Sequence, residues 1–287
     1  MLKQRVVTAV ILLAVLAGVL SVSSPWPLVV LLVIAAVCGL WEWLRLTWPG
    51  QATVGPKLVA SLCGLAMLWL ASEWLATDPA AWSMQLQAGL NQTLLPLVAL
   101  LWLFVATALV LQGQSQQRSS AVLLSLFGIA AVWAVWLALV QLFLQRGAWF
   151  LVSLMALIWF ADIAAYFTGK ALGRHKLAPR VSPGKTWEGA AGGVLAATVW
   201  VLLSAQWQGS FGDVLMQRWP WWGVVVISVV LAALSIVGDL FESLLKRRAG
   251  LKDSSQLLPG HGGVYDRIDA LLPVAPIALL ITGVWGS

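Results

Sequence analysis

The sequence predicts an all-α fold, a polytopic transmembrane helical bundle. Three observations carry this. Of 287 residues, 61% are hydrophobic and only 10% are charged, whereas a soluble domain has about 45–50% apolar and about 25% charged residues. Apolar runs recur at about the 20-residue length that a membrane crossing needs. Nineteen tryptophans stand against two tyrosines, and the indole ring with its single N–H suits the membrane–water boundary. A soluble enzyme, a disordered chain and a disulfide scaffold are excluded. Cys38 and Cys63 lie in apolar runs and read as free, packed thiols.

About nine spans follow in order. The first, 6–22, follows Lys3 and Arg5. It can be read as a signal peptide, but the second run at 28–44 begins almost at once, which favours an uncleaved span. Span three covers 58–75. The polar stretch 76–92 reads as an interfacial or surface loop before span four at 93–112. Spans five to eight cover 120–143, 148–168, 189–206 and 221–245. The ninth, 268–285, contains Pro273 and Pro276, so a kink or irregular start is expected. With the N-terminus in the cytoplasm, fifteen of the seventeen basic residues fall inside, leaving only Arg146 and Arg218 outside. The net charge of +6 therefore reads as membrane topology, with no nucleic-acid partner.

The polar residues are unevenly placed. Residues 162–269 hold eight of the eleven acids, eleven of the seventeen bases and both histidines. The chain thus divides into an N-terminal scaffold, 1–145, and a catalytic region, 146–287, with cytoplasmic loops 169–188 and 246–267. Asp162 and Asp239 each lie within a span, about 10–12 Å below the loop ends. An ionisable group at that depth is a functional candidate by default. Glu42 and Glu73, near span ends, read as interfacial acids. Asp239, Glu242, Ser243 and Lys246 share one helical face. The following loop contains Pro259-Gly260-His261-Gly262-Gly263, which can bring backbone N–H groups to an anion. Asp266 and Asp269 come next. Acids beside many bases suit Mg²⁺ and a phosphate-bearing substrate; a second cation stays open. Zinc is disfavoured, since no histidine–cysteine set occurs.

Three short motifs are discounted. Gly184-Lys185-Thr186 lacks the upstream glycine of a P-loop, Pro179 standing there. Ser243-Leu244-Leu245-Lys246 has the S-x-x-K spacing of penicillin-binding enzymes but no partner motif. Gly189 and Gly193 read as close helix packing.

A longer pattern is specific. Ser243-Leu244-Leu245-Lys246-Arg247, Lys252-Asp253, Leu258 to Val264 and Asp266-Arg267-Ile268-Asp269 together resemble the signature of the phosphatidate cytidylyltransferase family. Asp162, Ala165-Tyr166-Phe167, Gly169-Lys170, Gly173-Arg174 and Ser182 to Gly189 are similar to that family too. Ile163-Ala164 departs from it, where a small hydroxyl residue and a glycine are expected. The resemblance covers residues 150–285. It implies that CTP and phosphatidic acid give CDP-diacylglycerol and pyrophosphate, with Mg²⁺, in a helical membrane homodimer. The expected location is the bacterial inner membrane, and the bias of basic residues puts the site on its cytoplasmic face. It implies Asp239 and Asp266 as metal ligands, with Ser243 and Lys246 in the same pocket.

The remaining roles are expectations built on that reaction. Lys246, Arg247 and Lys252 bind triphosphate or lipid phosphate, and Lys185 closes over the leaving pyrophosphate. His261, Gly262 and Gly263 cradle phosphate. Asp162 serves as a third acid or as a partner to the ligands, and Arg267 binds substrate or balances its acidic neighbours. A CTP-dependent lipid kinase, an ether-lipid cytidylyltransferase, a transporter and a silent scaffold stay open as alternatives.

Overall fold

A computed structural model describes residues 2–48, 54–113, 120–260 and 262–283, with side chains from residue 7 onward. His261, Lys3, Arg5 and Arg118 lie outside the residues whose side chains are described.

The chain runs through α1 (Leu2–Leu20), α2 (Trp26–Thr47), α3 (Val54–Trp74) and α4 (Ala81–Leu100). A π-helical turn (Leu101–Ala106) joins α4 to α5 (Thr107–Gln112). Next come α6 (Ala121–Leu172), a hairpin of β1 (Lys176–Ala178) and β2 (Ser182–Thr186), α7 (Trp187–Ser204), α8 (Phe211–Arg218) and α9 (Trp221–Arg248). A loop then leads to α10 (Tyr265–Ile268) and α11 (Leu271–Thr282). Among the described residues, six helices are long and apolar enough to cross a membrane, so this is an integral membrane protein of helical type.

The α6 range holds the fifth and sixth expected runs as two helices joined end to end at a kink. Its 52 residues amount to about 78 Å of helix in total, more than twice a hydrocarbon core of about 30 Å. It breaks at Gly147, whose φ of 82° lies in the left-handed region that glycine adopts without a Cβ clash.

Two expectations need correction. The stretch 76–92 is helical from Ala81, not a loop. Asp78-Pro79 ends before the helix, and Gln85, Leu86, Gln87 and Ala88 are good helix formers. The fold is of the expected all-α class, with one short antiparallel hairpin over Lys176 to Thr186, where Pro179 and Pro183 disfavour continued helix. Tryptophan is not only a boundary residue: Trp43, Trp102 and Trp136 are fully buried. Trp43 centres an aromatic cluster with Trp102, Phe127, Phe241 and Tyr265, at ring separations of 5.1–6.4 Å. That cluster ties α2, the π turn, α6, α9 and α10 together beneath the polar loops.

Two packing features bring the polar region together. Helix α7 lies against the second half of α6 along a glycine seam. A Cβ at Gly193 would sit 2.6 Å from the Ala161 carbonyl oxygen, and one at Gly189 2.8 Å from that of Ala165, so only glycine permits the approach. Thr186 ends β2 and caps α7, its hydroxyl accepting from Gly189 N at 3.1 Å. The preceding Lys185 is thereby fixed at the α7 N-terminus. The ninth run does start irregularly: α10 and α11 are separate, and α11 is a buried helix of 12 residues.

Candidate active site

A cleft of about 480 Å³ opens between the second half of α6, the hairpin, the start of α7 and α9. Its walls include Asp162, Tyr166 and Lys170 from α6, Ser182 and Lys185 from β2, and Ile236 and Asp239 from α9. The two in-span acids thus share one cavity although 77 positions separate them in the chain. Lys185 reaches Asp239 Oδ2 with its Nζ at 2.5 Å. Both groups are about one-third exposed, so the lysine can exchange its carboxylate partner for an incoming anion. Arg267 is exposed and lies within electrostatic reach of Asp162.

Carboxylates converge below this pair. Oxygen atoms of Asp239, Glu242 and Asp269 lie within 4.8 Å of one another. Asp239 and Glu242 come from successive turns of α9, and Asp269 comes from the α10–α11 junction. The junction can approach because Gly238 has no side chain: a Cβ there would sit 2.5 Å from the Asp269 carbonyl oxygen.

Asp266 stands beside that group with a different set of partners. Its Oδ1 accepts from Lys246 Nζ at 2.6 Å. Its Oδ2 accepts from Ser254 N at 3.1 Å, Ser254 Oγ at 2.7 Å and Gly263 N at 2.7 Å. Burial pushes its carboxyl up, but the Lys246 ammonium, Ser254 and the Gly263 N–H outweigh this and hold it well below the usual carboxylate range. Lys246 also pairs with Glu242 Oε2 at 2.8 Å, so one ammonium bridges two buried acids. The other Glu242 oxygen, Oε1, is buried and accepts no hydrogen bond from the described residues.

The glycine-rich loop folds back tightly. Leu258 N donates to Gly262 O at 2.8 Å, and Gly260 and Gly262 have φ of 75° and 84°. The Gly263 N–H, which the sequence suggested for a substrate anion, meets the Asp266 carboxylate. Arg247 is exposed, with Nε donating to Val181 O at 3.4 Å, which joins the two polar loops. Lys252 is exposed on the same loop, and Ser243 is half-buried one turn beyond Asp239.

Three further acids belong to this region. Glu242 and Asp269 sit beside Asp239, and their signal was visible as the i, i+3 spacing to Asp239 and Asp266. Glu42 is fully buried and is not the interfacial acid expected. Its signal was weaker: one carboxylate in a 22-residue apolar helix.

Known proteins are similar along nearly the whole chain. The model of the cytidylyltransferase family matches residues 3–285. The phosphatidate cytidylyltransferase of Pseudomonas aeruginosa is 37% identical, covering 100% of both chains. That of Haemophilus influenzae is 34% identical over 96% of each chain. The Bacillus subtilis phosphatidate cytidylyltransferase is 32% identical over 96% of this chain and 95% of its own.

Proposed function

The chain belongs to the cytidylyltransferase family, matched over residues 3–285, and from that premise we propose that it transfers CMP from CTP to phosphatidic acid. The products are CDP-diacylglycerol and pyrophosphate. The single observation that carries the reading is the set of carboxylates, Asp239, Glu242 and Asp269, converging within 4.8 Å beneath a lysine-bearing cleft at one end of a membrane bundle.

The lipid phosphate is already an anion, so the reaction needs little general-base help. Its main difficulty is bringing two polyanions together. Lys185 exchanges Asp239 for a phosphate of the nucleotide and stabilises the leaving pyrophosphate. Arg247 and Lys252, both exposed, bind triphosphate or lipid phosphate, and Arg267 joins them in that role. Lys246 holds Asp266 and Glu242 in place, and Ser243 lines the same face of α9. Gly262 and Gly263 set the tight turn of the loop proposed to cradle phosphate, and His261 belongs to that proposal. Asp162, across the cleft, serves as a third acid.

Mg²⁺ fits this donor set. Hard carboxylate oxygens suit it, and buried Glu242 Oε1 has no hydrogen-bond partner among the described residues. Asp239, with Glu242 and Asp269, would hold the ion, and Asp266 stands beside them as the ligand implied by the family resemblance. The bound cation would neutralise phosphate charge and orient the reacting groups. A second cation belongs to the same proposal.

The topology belongs to it as well. With α6 counted as two crossings, nine spans put the N-terminus and both polar loops in the cytoplasm, where CTP is. The protein sits in the bacterial inner membrane as a homodimer, with residues 1–145 as scaffold and 146–287 as the catalytic region. The test is incubation of purified protein with labelled CTP, Mg²⁺ and phosphatidate. Lipid-linked cytidine and pyrophosphate should form only when all three are present. Release of CDP would mean a kinase and overturn the reading.

A further inference from the structure

The fully buried carboxylate of Glu42, on α2, grips the loop that carries Asp266 at both of its ends. Ser255 Oγ donates to Oε1 at 2.5 Å, and Ser254 Oγ, 3.0 Å from Oε2, shares its one proton between Glu42 and Asp266. Val264 N donates to Oε1 at 3.1 Å and Tyr265 N to Oε2 at 2.6 Å. The four donors bracket residues 256–263, which include the glycine-rich turn. The fit is close: a Cβ at Gly263 would run into Ser254 Oγ and Glu42 Oε2. Ser254 Oγ also touches Asp266 Oδ2 at 2.7 Å. Direct contacts therefore run from Glu42 through Ser254, Asp266 and Lys246 to Glu242.

We propose that Glu42 is a positioning residue for the transfer reaction: its carboxylate fixes the 254–265 loop so that Asp266 and Lys246 meet the acids of α9. A catalytic loop needs such support, since small misplacement of reacting groups costs rate. A neutral apolar side chain would leave two backbone N–H groups buried without acceptors. The role also explains a single acid in the otherwise apolar α2. It joins the N-terminal helices to the site through hydrogen bonds, where sequence alone suggested only lipid embedding.

The chemistry supplies a sharp substitution. Glu42→Gln keeps the shape and replaces one oxygen by NH₂. Each carboxylate oxygen accepts one backbone N–H, Val264 on one side and Tyr265 on the other. A serine hydroxyl can turn to accept, but a backbone N–H cannot. Whichever way the amide turns, one backbone donor faces another donor. Ser255→Ala is the milder companion. It removes one donor from Glu42, together with the acceptor for Leu257 N at 3.1 Å.

This inference rests on the reaction proposed above, so wild-type protein is assayed first. Absence of wild-type turnover fails that reading alone. With wild type active, Glu42→Gln should lower kcat about 10- to 100-fold, the range expected for a lost hydrogen bond to a charged group. KM for phosphatidate should hold, and half-saturating Mg²⁺ should rise. Amide exchange should quicken in residues 254–265 while α2 and α9 stay protected. Ser255→Ala should move the same quantities the same way by a smaller factor. Wild-type kcat, or unchanged exchange in 254–265, in Glu42→Gln overturns the role. Should that variant aggregate, Ser255→Ala decides: wild-type kcat with unchanged Mg²⁺ dependence overturns the role, and lowered kcat at constant KM supports it.

Discussion

Replacing Lys246 by methionine tests the charge balance beneath the cleft. The lysine side chain is 12% exposed and bridges Glu242 at 2.8 Å and Asp266 at 2.6 Å, which are themselves 3% and 7% exposed. Methionine keeps most of the volume and removes the only positive charge shown in contact with both acids. Asp266 retains Ser254 and Gly263 as donors, but Glu242 keeps no ion-pair partner among the described residues. Removing one member of a buried pair costs about 3–5 kcal/mol. At about 2–4 °C per kcal/mol for a chain near this size, apparent Tm should fall by roughly 6–20 °C. The assay is a thermal melt of purified protein in detergent at neutral pH, read by tryptophan fluorescence. Adding Glu242→Gln to Lys246→Met relieves the like-charge contact and should recover about 1–3 kcal/mol of the loss, as a coupling between touching groups does. Two results refute the reasoning: a Lys246→Met melt within about 2 °C of wild type, or strictly additive losses in the double variant.

Other outcomes follow from the same geometry. Asp239→Asn should reduce turnover by about 10³-fold or more while changing the melt little, because its ion pair with Lys185 is partly exposed and such pairs contribute about 0–1 kcal/mol; lipid-linked cytidine formation checks the first and the detergent melt the second. Gly193→Val should push α7 off α6, because even its Cβ would sit 2.6 Å from the Ala161 carbonyl oxygen, with an expected loss of about 1–3 kcal/mol in the same melt. Gly262→Ala combines a left-handed φ of 84° with a Cβ 2.8 Å from Asp266 Oδ2; it should cost about 1–2 kcal/mol and quicken amide exchange in 254–265, and unchanged exchange would count against the tight-turn account.

Much of the architecture was legible in residue order because membrane helices obey local rules. Apolar length located α2, α3, α7 and α9, and Gly147 was legible as the gap between runs at 143 and 148. Stretch 81–92 was misread because polar composition was taken for loop, although its residues favour helix. The hairpin was missed because a strand pair of eight residues in all leaves too little pattern among surrounding helices. The site was legible where its residues share one helix face: Asp239, Glu242, Ser243 and Lys246 follow helical spacing. Asp162 and Asp239 were paired by depth alone, and the structure places them on one cleft.

Sequence alone determined the environment of the chain: a hydrocarbon-embedded bundle whose few charges gather in its last two-fifths. It also carried the signature that resembles a nucleotidyl-transferring family. Tertiary structure decided which acids are neighbours. Asp269 joins Asp239 because Gly238 admits the chain, while Asp266 takes its bonds from Lys246, Ser254 and Gly263. Glu42 could be identified only in three dimensions. Its partners lie 212 to 223 positions away, and no local periodicity encodes a hydrogen bond across that separation. Hydropathy depends on each segment's own composition, whereas a buried carboxylate is tolerated only by the donors that folding brings to it.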